Sequence, residues 1–175
     1  MSTSSGTRAL LSDVLRPGLK VVFCGTALGT KSAQRRAYYA GPGNSFWRTL
    51  HEVGLTPRQL VPSEYRALLE NGIGLTDLCK TRSGSDDDVG TEGFDVPRLI
   101  AEIEANSPPW IAFNGKNAAR GALGRAVDYG IQKERLGGAR AFVLPSTSGA
   151  ARRYWDPGKW RELADLLTAR ASRPA

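Results

Sequence analysis

The chain has 175 residues, 41% of them hydrophobic and 23% charged. That is the size and composition of one globular domain able to bury a core without a disulfide or metal staple. No apolar run approaches the ~20 residues that span a bilayer, and the polar opening Met1–Thr7 has no apolar signal core. The expectation is a cytoplasmic, monomeric protein away from membranes, with residues 1–8 a disordered tail and 9–175 a single domain. Two cysteines, Cys24 and Cys79, sit in apolar segments and read as buried thiols. No metal-ligand spacing occurs, so neither a metal nor another cofactor is expected.

The first predicted element is one helical turn at Ser12–Leu15, ended by Pro17-Gly18. Leu19–Cys24 is a continuous β-branched and apolar run, which suits a parallel strand covered on both faces. Thr30–Gly43 reads as a long polar loop. Asn44 is placed as the N-cap of a helix whose buried face is Phe46, Trp47, Leu50 and Val53, closed by Gly54. Thr56-Pro57 opens a second helix through Leu69, stopped by Asn71-Gly72. Ile73–Leu78 is a short strand, and Lys80–Gly93 an acidic loop.

Further along, Val96–Ala105 is an amphipathic helix broken by Pro108-Pro109. Trp110–Phe113 is a strand, Asn117–Val127 a helix and Ala141–Leu144 a last strand. Asp156 caps a final helix that has Pro157 in its first turn and runs through Leu167. Alternating strands and helices argue for an α/β fold, a three-layer α/β/α sandwich on a mainly parallel sheet. In such sheets ligands bind beyond the C-terminal strand ends. That edge gathers three loops: Gly25–Gly29, Asn114–Lys116 and Pro145–Gly149.

Charge narrows the partner. The net charge of +7 comes from 24 Lys and Arg against 17 Asp and Glu. Such a balance favours a polyanion. Lys31, Arg35, Arg36, Arg48, Arg58 and Arg66 cluster with only Glu52 and Glu64 among them, and Arg152-Arg153 follow the last loop.

The loops themselves suggest what is held. Gly25-Thr26-Ala27-Leu28-Gly29 lacks the Lys-Ser/Thr ending of a phosphate loop and the spacing of a dinucleotide turn. It is a tight turn whose backbone N–H and C=O groups could read a flat heterocycle. Tyr38-Tyr39 lie in a glycine-rich loop, where an exposed aromatic can stack on a base. Ser146-Thr147-Ser148, leading to Arg152-Arg153, suits phosphate contact. The lone His51 reads as structural or surface.

Together these segments resemble the mismatch-specific uracil/thymine DNA glycosylases of the uracil-DNA glycosylase superfamily, from about Leu15 to about Leu167. The resemblance is carried by Gly18–Gly25, Gly41-Pro42-Gly43-Asn44-Ser45-Phe46-Trp47, Gly54-Leu55-Thr56 with Gln59-Leu60, Gly72–Asp77, Ala112–Lys116 and Leu144–Ser148. It implies a base-flipping enzyme acting on double-stranded DNA that contains uracil or mismatches. By that likeness, Gly25, Thr26, Ala27 and Tyr39 form the base pocket, with the Tyr39 ring stacking on the base. Ser32 lies near the pyrimidine C5 side, and Asn44, Asn114 and Ser146 complete the pocket. Lys31, Ser148, Gly149, Ala150, Ala151, Arg152 and Arg153 contact DNA. Ala150 and Ala151 replace the bulky leucine wedge of other members, which leaves Arg152 as the large side chain of that loop.

One departure bears on the chemistry. Relatives carry Asn where this chain has Ala27, and that Asn positions the hydrolytic water. Three arrangements are open: a carboxylate from Asp86-Asp87-Asp88 holds the water, with Asp86 or Asp87 preferred; backbone donors stabilise the leaving base and water attacks unassisted; or the protein binds damaged DNA without cutting. A soluble nucleotide-binding enzyme is a further alternative, disfavoured by the arginine clusters and the missing phosphate loop. No lysine stands out as a Schiff-base nucleophile, so hydrolysis to an abasic site without strand cleavage is expected.

Overall fold

A computed structural model describes residues 8–171. The expected tail therefore lies outside the described residues, save for Arg8. Five strands form one sheet: β1 (Val21–Gly25), β2 (Ile73–Asp77), β3 (Trp110–Asn114), β4 (Gly130–Leu136) and β5 (Ala139–Leu144). Their order is β2-β1-β3-β5-β4, parallel except for the β4–β5 hairpin. The mainly parallel three-layer sandwich is thus the observed architecture.

The apolar run of β1 serves two faces at once, because successive side chains of a strand point oppositely. Val21 and Phe23 join one core with Phe46, Leu50, Leu68, Trp160 and Leu163. Val22 and Cys24 join the other with Leu99, Ile103, Ala118 and Ala119. The helices that supply these partners are α2 (Phe46–Glu52) and α6 (Pro157–Ala171) on the first face, and α4 (Val96–Asn106) and α5 (Lys116–Leu123) on the second. A 3-10 segment, Pro62–Asn71, adds Leu68 to the first face. Cys24 and Cys79 are free and buried, as expected.

Several boundaries differ from expectation, each for a physical reason. Ser12–Leu15 is not helical, because Val14 pairs as an isolated antiparallel bridge with Leu75. Thr30–Arg35 forms a short helix, α1, inside the expected loop. The segment after Thr56-Pro57 turns helical only at Pro62. Asp86–Val89 forms a one-turn helix, α3, with Ser85 and Asp88 in a reciprocal capping box. The fifth helix ends at Leu123 because Gly124 takes a left-handed conformation. Strand β4 was not legible: Gln132–Arg135 is polar throughout, as befits an edge strand facing water.

The final helix also sets the last loop. Trp160 is fully buried, stacks on Phe23 at 5.6 Å, and donates its indole N–H to the Pro145 carbonyl at 3.0 Å. Trp160→Phe keeps most of the packing but leaves that buried carbonyl unpaired. It is expected to cost about 1–3 kcal/mol, against about 3–5 kcal/mol for Trp160→Ala, read from urea unfolding midpoints at constant slope.

Candidate functional site

The strands deliver a row of positions to one sheet edge. Gly25 pairs with Asp77 across β1 and β2, and Asn114 pairs with Leu144 across β3 and β5. A Cβ at Gly25 would come within 2.7 Å of an Asp77 carboxylate oxygen and 3.5 Å of the Tyr39 hydroxyl. Glycine is thus required there by close approach. The turn beyond it is anchored from one side: the carbonyls of Gly25, Thr26 and Leu28 accept from the N–H groups of Leu78, Cys79 and Gly84 at 2.8–3.0 Å. Those three carbonyls of the turn are therefore engaged within the protein.

The same strapping brings the acidic segment onto the turn. Thr26 donates its hydroxyl to Asp86 Oδ1 at 2.6 Å, and Asn117 donates its amide to Asp86 Oδ2 at 2.6 Å. Asp88 is engaged in the cap, accepting from the Ser85 N–H and hydroxyl. Asp87 is exposed and makes no hydrogen bond or ion pair among the described residues. Of the two expected carboxylates, only Asp86 touches the turn. Ala27, half-buried, sits beside this arrangement with no side-chain polarity.

A second group lines a cavity of about 780 Å³ that includes Tyr39, Asn44, Ser146, Ser148 and Arg152. Asn44 Oδ1 accepts from the Phe46 N–H at 3.0 Å, and so contributes to capping beside Ser45. Ser45 N–H donates to the Thr147 carbonyl at 3.0 Å, tying the aromatic and serine loops together. Asn114 holds Thr147 twice, donating to its hydroxyl at 2.9 Å and accepting its N–H at 3.0 Å. Ser146 and Ser148 accept backbone N–H groups within their own loop. Arg152 lies across Gly43, where a Cβ would meet its guanidinium at 2.7 Å. Gly149, Ala150, Ala151, Arg152 and Arg153 form a 3-10 segment, Gly149–Tyr154, with no buried residue.

Neither tyrosine is exposed. Tyr38 is buried, donating to the Ser12 carbonyl and accepting from Lys80. Tyr39 is half-buried with a backbone φ of +52°, and its ring stacks on Phe46 with centroids 4.0 Å apart. One face of that ring is thus taken, and a base could use only the other. Its hydroxyl is buried without a hydrogen-bond partner among the described residues, in the neighbourhood of Asn114 and Asp77. Ser32 is buried, its hydroxyl accepting from the Ala40 N–H at 2.9 Å. Lys31 is exposed. Within the expected basic cluster Arg48 pairs with Glu52 and Arg58 with Glu64; Lys31, Arg35, Arg36 and Arg66 have no carboxylate partner among the described residues.

Sequence reasoning missed Asn117 and Asp77 as parts of the edge, and placed Thr147 there only as one of three small hydroxylated residues. Asp77 is 3% exposed, and its second carboxylate oxygen has no hydrogen-bond partner among the described residues. Burial pushes its carboxyl up to about 7 against the pull of Lys80, with Asp13 adding to the rise and Arg98 opposing it. Behind it, Asp13 is paired with Lys80 at 2.8 Å and Arg98 at 2.7 Å.

The scan of protein families matches residues 12–166 to the family described as the uracil DNA glycosylase superfamily. The chain belongs to the uracil DNA glycosylase superfamily. Among solved structures it is similar to a candidate uracil DNA glycosylase from Methanosarcina acetivorans, determined by NMR in solution. The two share 27% identity over 93% of this chain and 98% of that one, with a TM-score of 0.67. At the level of the superfamily, the chain is a DNA glycosylase.

The Asp77 environment has a measurable consequence. Its folded-state pKa lies above the unfolded value, so folding retains a proton between about pH 4 and about pH 7, and stability from this group falls as pH rises across that window. Asp77→Asn keeps the shape and removes the titration. The variant's stability relative to wild type is expected to climb by about 1–4 kcal/mol from pH 4 to pH 7.5, measured by denaturant unfolding at each pH.

Proposed function

We propose that the protein flips uracil, and other deaminated or mismatched bases, out of duplex DNA and hydrolyses the N-glycosidic bond, leaving an abasic site with the strand intact. The observation that carries this reading is the Asp86 carboxylate held on the Thr26 hydroxyl, on the turn where Ala27 supplies no polar group. Asp86 is exposed, so water reaches it. In the reaction the carboxylate accepts a proton as the water oxygen bonds to C1′. The C1′–N bond breaks and its electron pair leaves with the base, later quenched by a proton. Backbone N–H groups about the turn stabilise that departing anion. The free face of Tyr39 stacks on the base, while Asn44 and Ser146 line its entry.

The DNA itself meets Lys31 and the segment Ser148–Arg153. Ala150 and Ala151 are too small to fill the gap left by a flipped base. Arg152, whose guanidinium lies at the cavity mouth, is the residue that fills it.

A uracil-containing duplex treated with enzyme and then alkali reveals abasic sites as strand breaks. Wild type is expected to generate them from U:G or U:A pairs. Asp86→Ala lowers the single-turnover rate by roughly 10²-fold or more, while Asp87→Ala stays within about twofold, since that carboxylate touches nothing at the turn. Duplex binding without cleavage by wild type would instead establish a binding module. Equal rates for wild type and Asp86→Ala would leave leaving-group stabilisation as the whole of the catalysis.

A further inference from the structure

Asp86 is surface-exposed, yet both of its oxygens are taken from opposite directions: Oδ1 by Thr26 at the end of β1, and Oδ2 by Asn117 in the first turn of α5. An exposed aspartate ordinarily samples several rotamers. Two 2.6 Å hydrogen bonds from separate elements leave this one a single orientation. Asn117 is itself oriented. Its Oδ1 accepts from the Arg120 guanidinium at 3.3 Å, which turns the NH₂ group toward Asp86. The neighbouring Lys116 does not compete for the carboxylate, since its ammonium lies over the Tyr129 ring at 4.5 Å. The backbone reinforces the placement. The Leu28–Ser83 bridge and the Gly84 N–H to Leu28 carbonyl bond hold the segment before Asp86 on the turn.

Resting on the reading of Asp86 given above, we propose that Asn117, oriented by Arg120, is a positioning residue that fixes the Asp86 carboxylate for attack on the glycosidic carbon. Asn117 is exposed. Its hydrogen bonds serve a carboxylate in water, where a structural ion lock would contribute little. Orientation is what such a bond can supply: displacements of the order of 1 Å cost catalysis up to about 10²-fold.

The test compares wild type, Asn117→Ala, Asp86→Ala and the double variant in single-turnover cleavage of a uracil-containing duplex, with duplex Kd measured alongside. Asn117→Ala is expected to slow the chemical step by roughly 10-fold or more with Kd within about twofold, and the double variant to be no slower than Asp86→Ala. Asn117→Asp puts a second carboxyl where the donor stood. Two carboxyls at that spacing share a proton, so the acidic limb of the pH–rate profile moves upward by about one unit or more. An unmoved limb would show that residue 117 does not face the catalytic carboxylate in the active enzyme and would overturn the positioning role. A slow Asp86→Ala with Asn117→Ala at the wild-type rate would overturn the positioning role and spare Asp86. Asp86→Ala at the wild-type rate, or no cleavage by wild type, would overturn the reading and the positioning role with it.

Discussion

The absent side chain of Gly25 is the constraint on which the sheet edge depends. At this point β1 emerges between β2 and β3, the Asp77 carboxylate occupies the space a Cβ would need, and the Tyr39 hydroxyl lies at van der Waals distance from it. Because those groups fit there, Tyr39 can lie flat on Phe46, and Phe46 in turn contacts Phe23 and Trp160 at the centre of the first core. Trp160 then holds the Pro145 carbonyl, at the head of the serine loop. One chain of contacts links the pocket turn, the aromatic loop and the serine–arginine loop through the buried first core. Preorganised sites depend on this kind of support from locked side chains.

Polar groups divide the edge into two halves. On one side Asn114 uses both ends of its amide on Thr147, and Ser45 reaches the same residue, so the cavity wall is knitted by neutral hydrogen bonds. On the other side the segment 78–86 spends backbone N–H groups on the turn's carbonyls and delivers a single carboxylate. A site that must hold a base and also activate water needs these two characters kept apart. The half knitted by Asn114 and Ser45 is lined mostly by neutral groups, with Arg48 and Arg152 as its charges, and the Asp86 half is exposed to water.

The sequence revealed the fold where burial dictates residue type. The run Val21–Cys24 reads as a central strand because both faces are covered, and Gly25–Gly29, Asn114–Lys116 and Pro145–Gly149 fall at one edge by strand polarity alone. Element ends were harder to read. Val14 bridges Leu75 instead of forming a turn of helix, since a long-range backbone partner outweighs a weak local preference. Strand β4 has no apolar alternation to announce it. At the site, Asp86 was visible only as one of two preferred carboxylates in a run of three acids. Asn117 was visible only as the start of a helix. Their meeting is separated by 31 residues and set by how α3 and α5 pack, which no local pattern encodes.

The three acids nonetheless show how local chemistry sorts residues of one type. Ser85 and Asp88 satisfy each other across the first turn of α3, and this capping box consumes Asp88. Once the cap sets where the turn begins, helical geometry points Asp86 and Asp87 in different directions, about 100° apart around the axis. Only one of them can face the β1 turn, and the 2.6 Å bond from Thr26 identifies it as Asp86. On the function proposed above, the side chain missing at Ala27 is answered from outside the turn, by a carboxylate that a serine cap aims and an asparagine on a neighbouring helix holds.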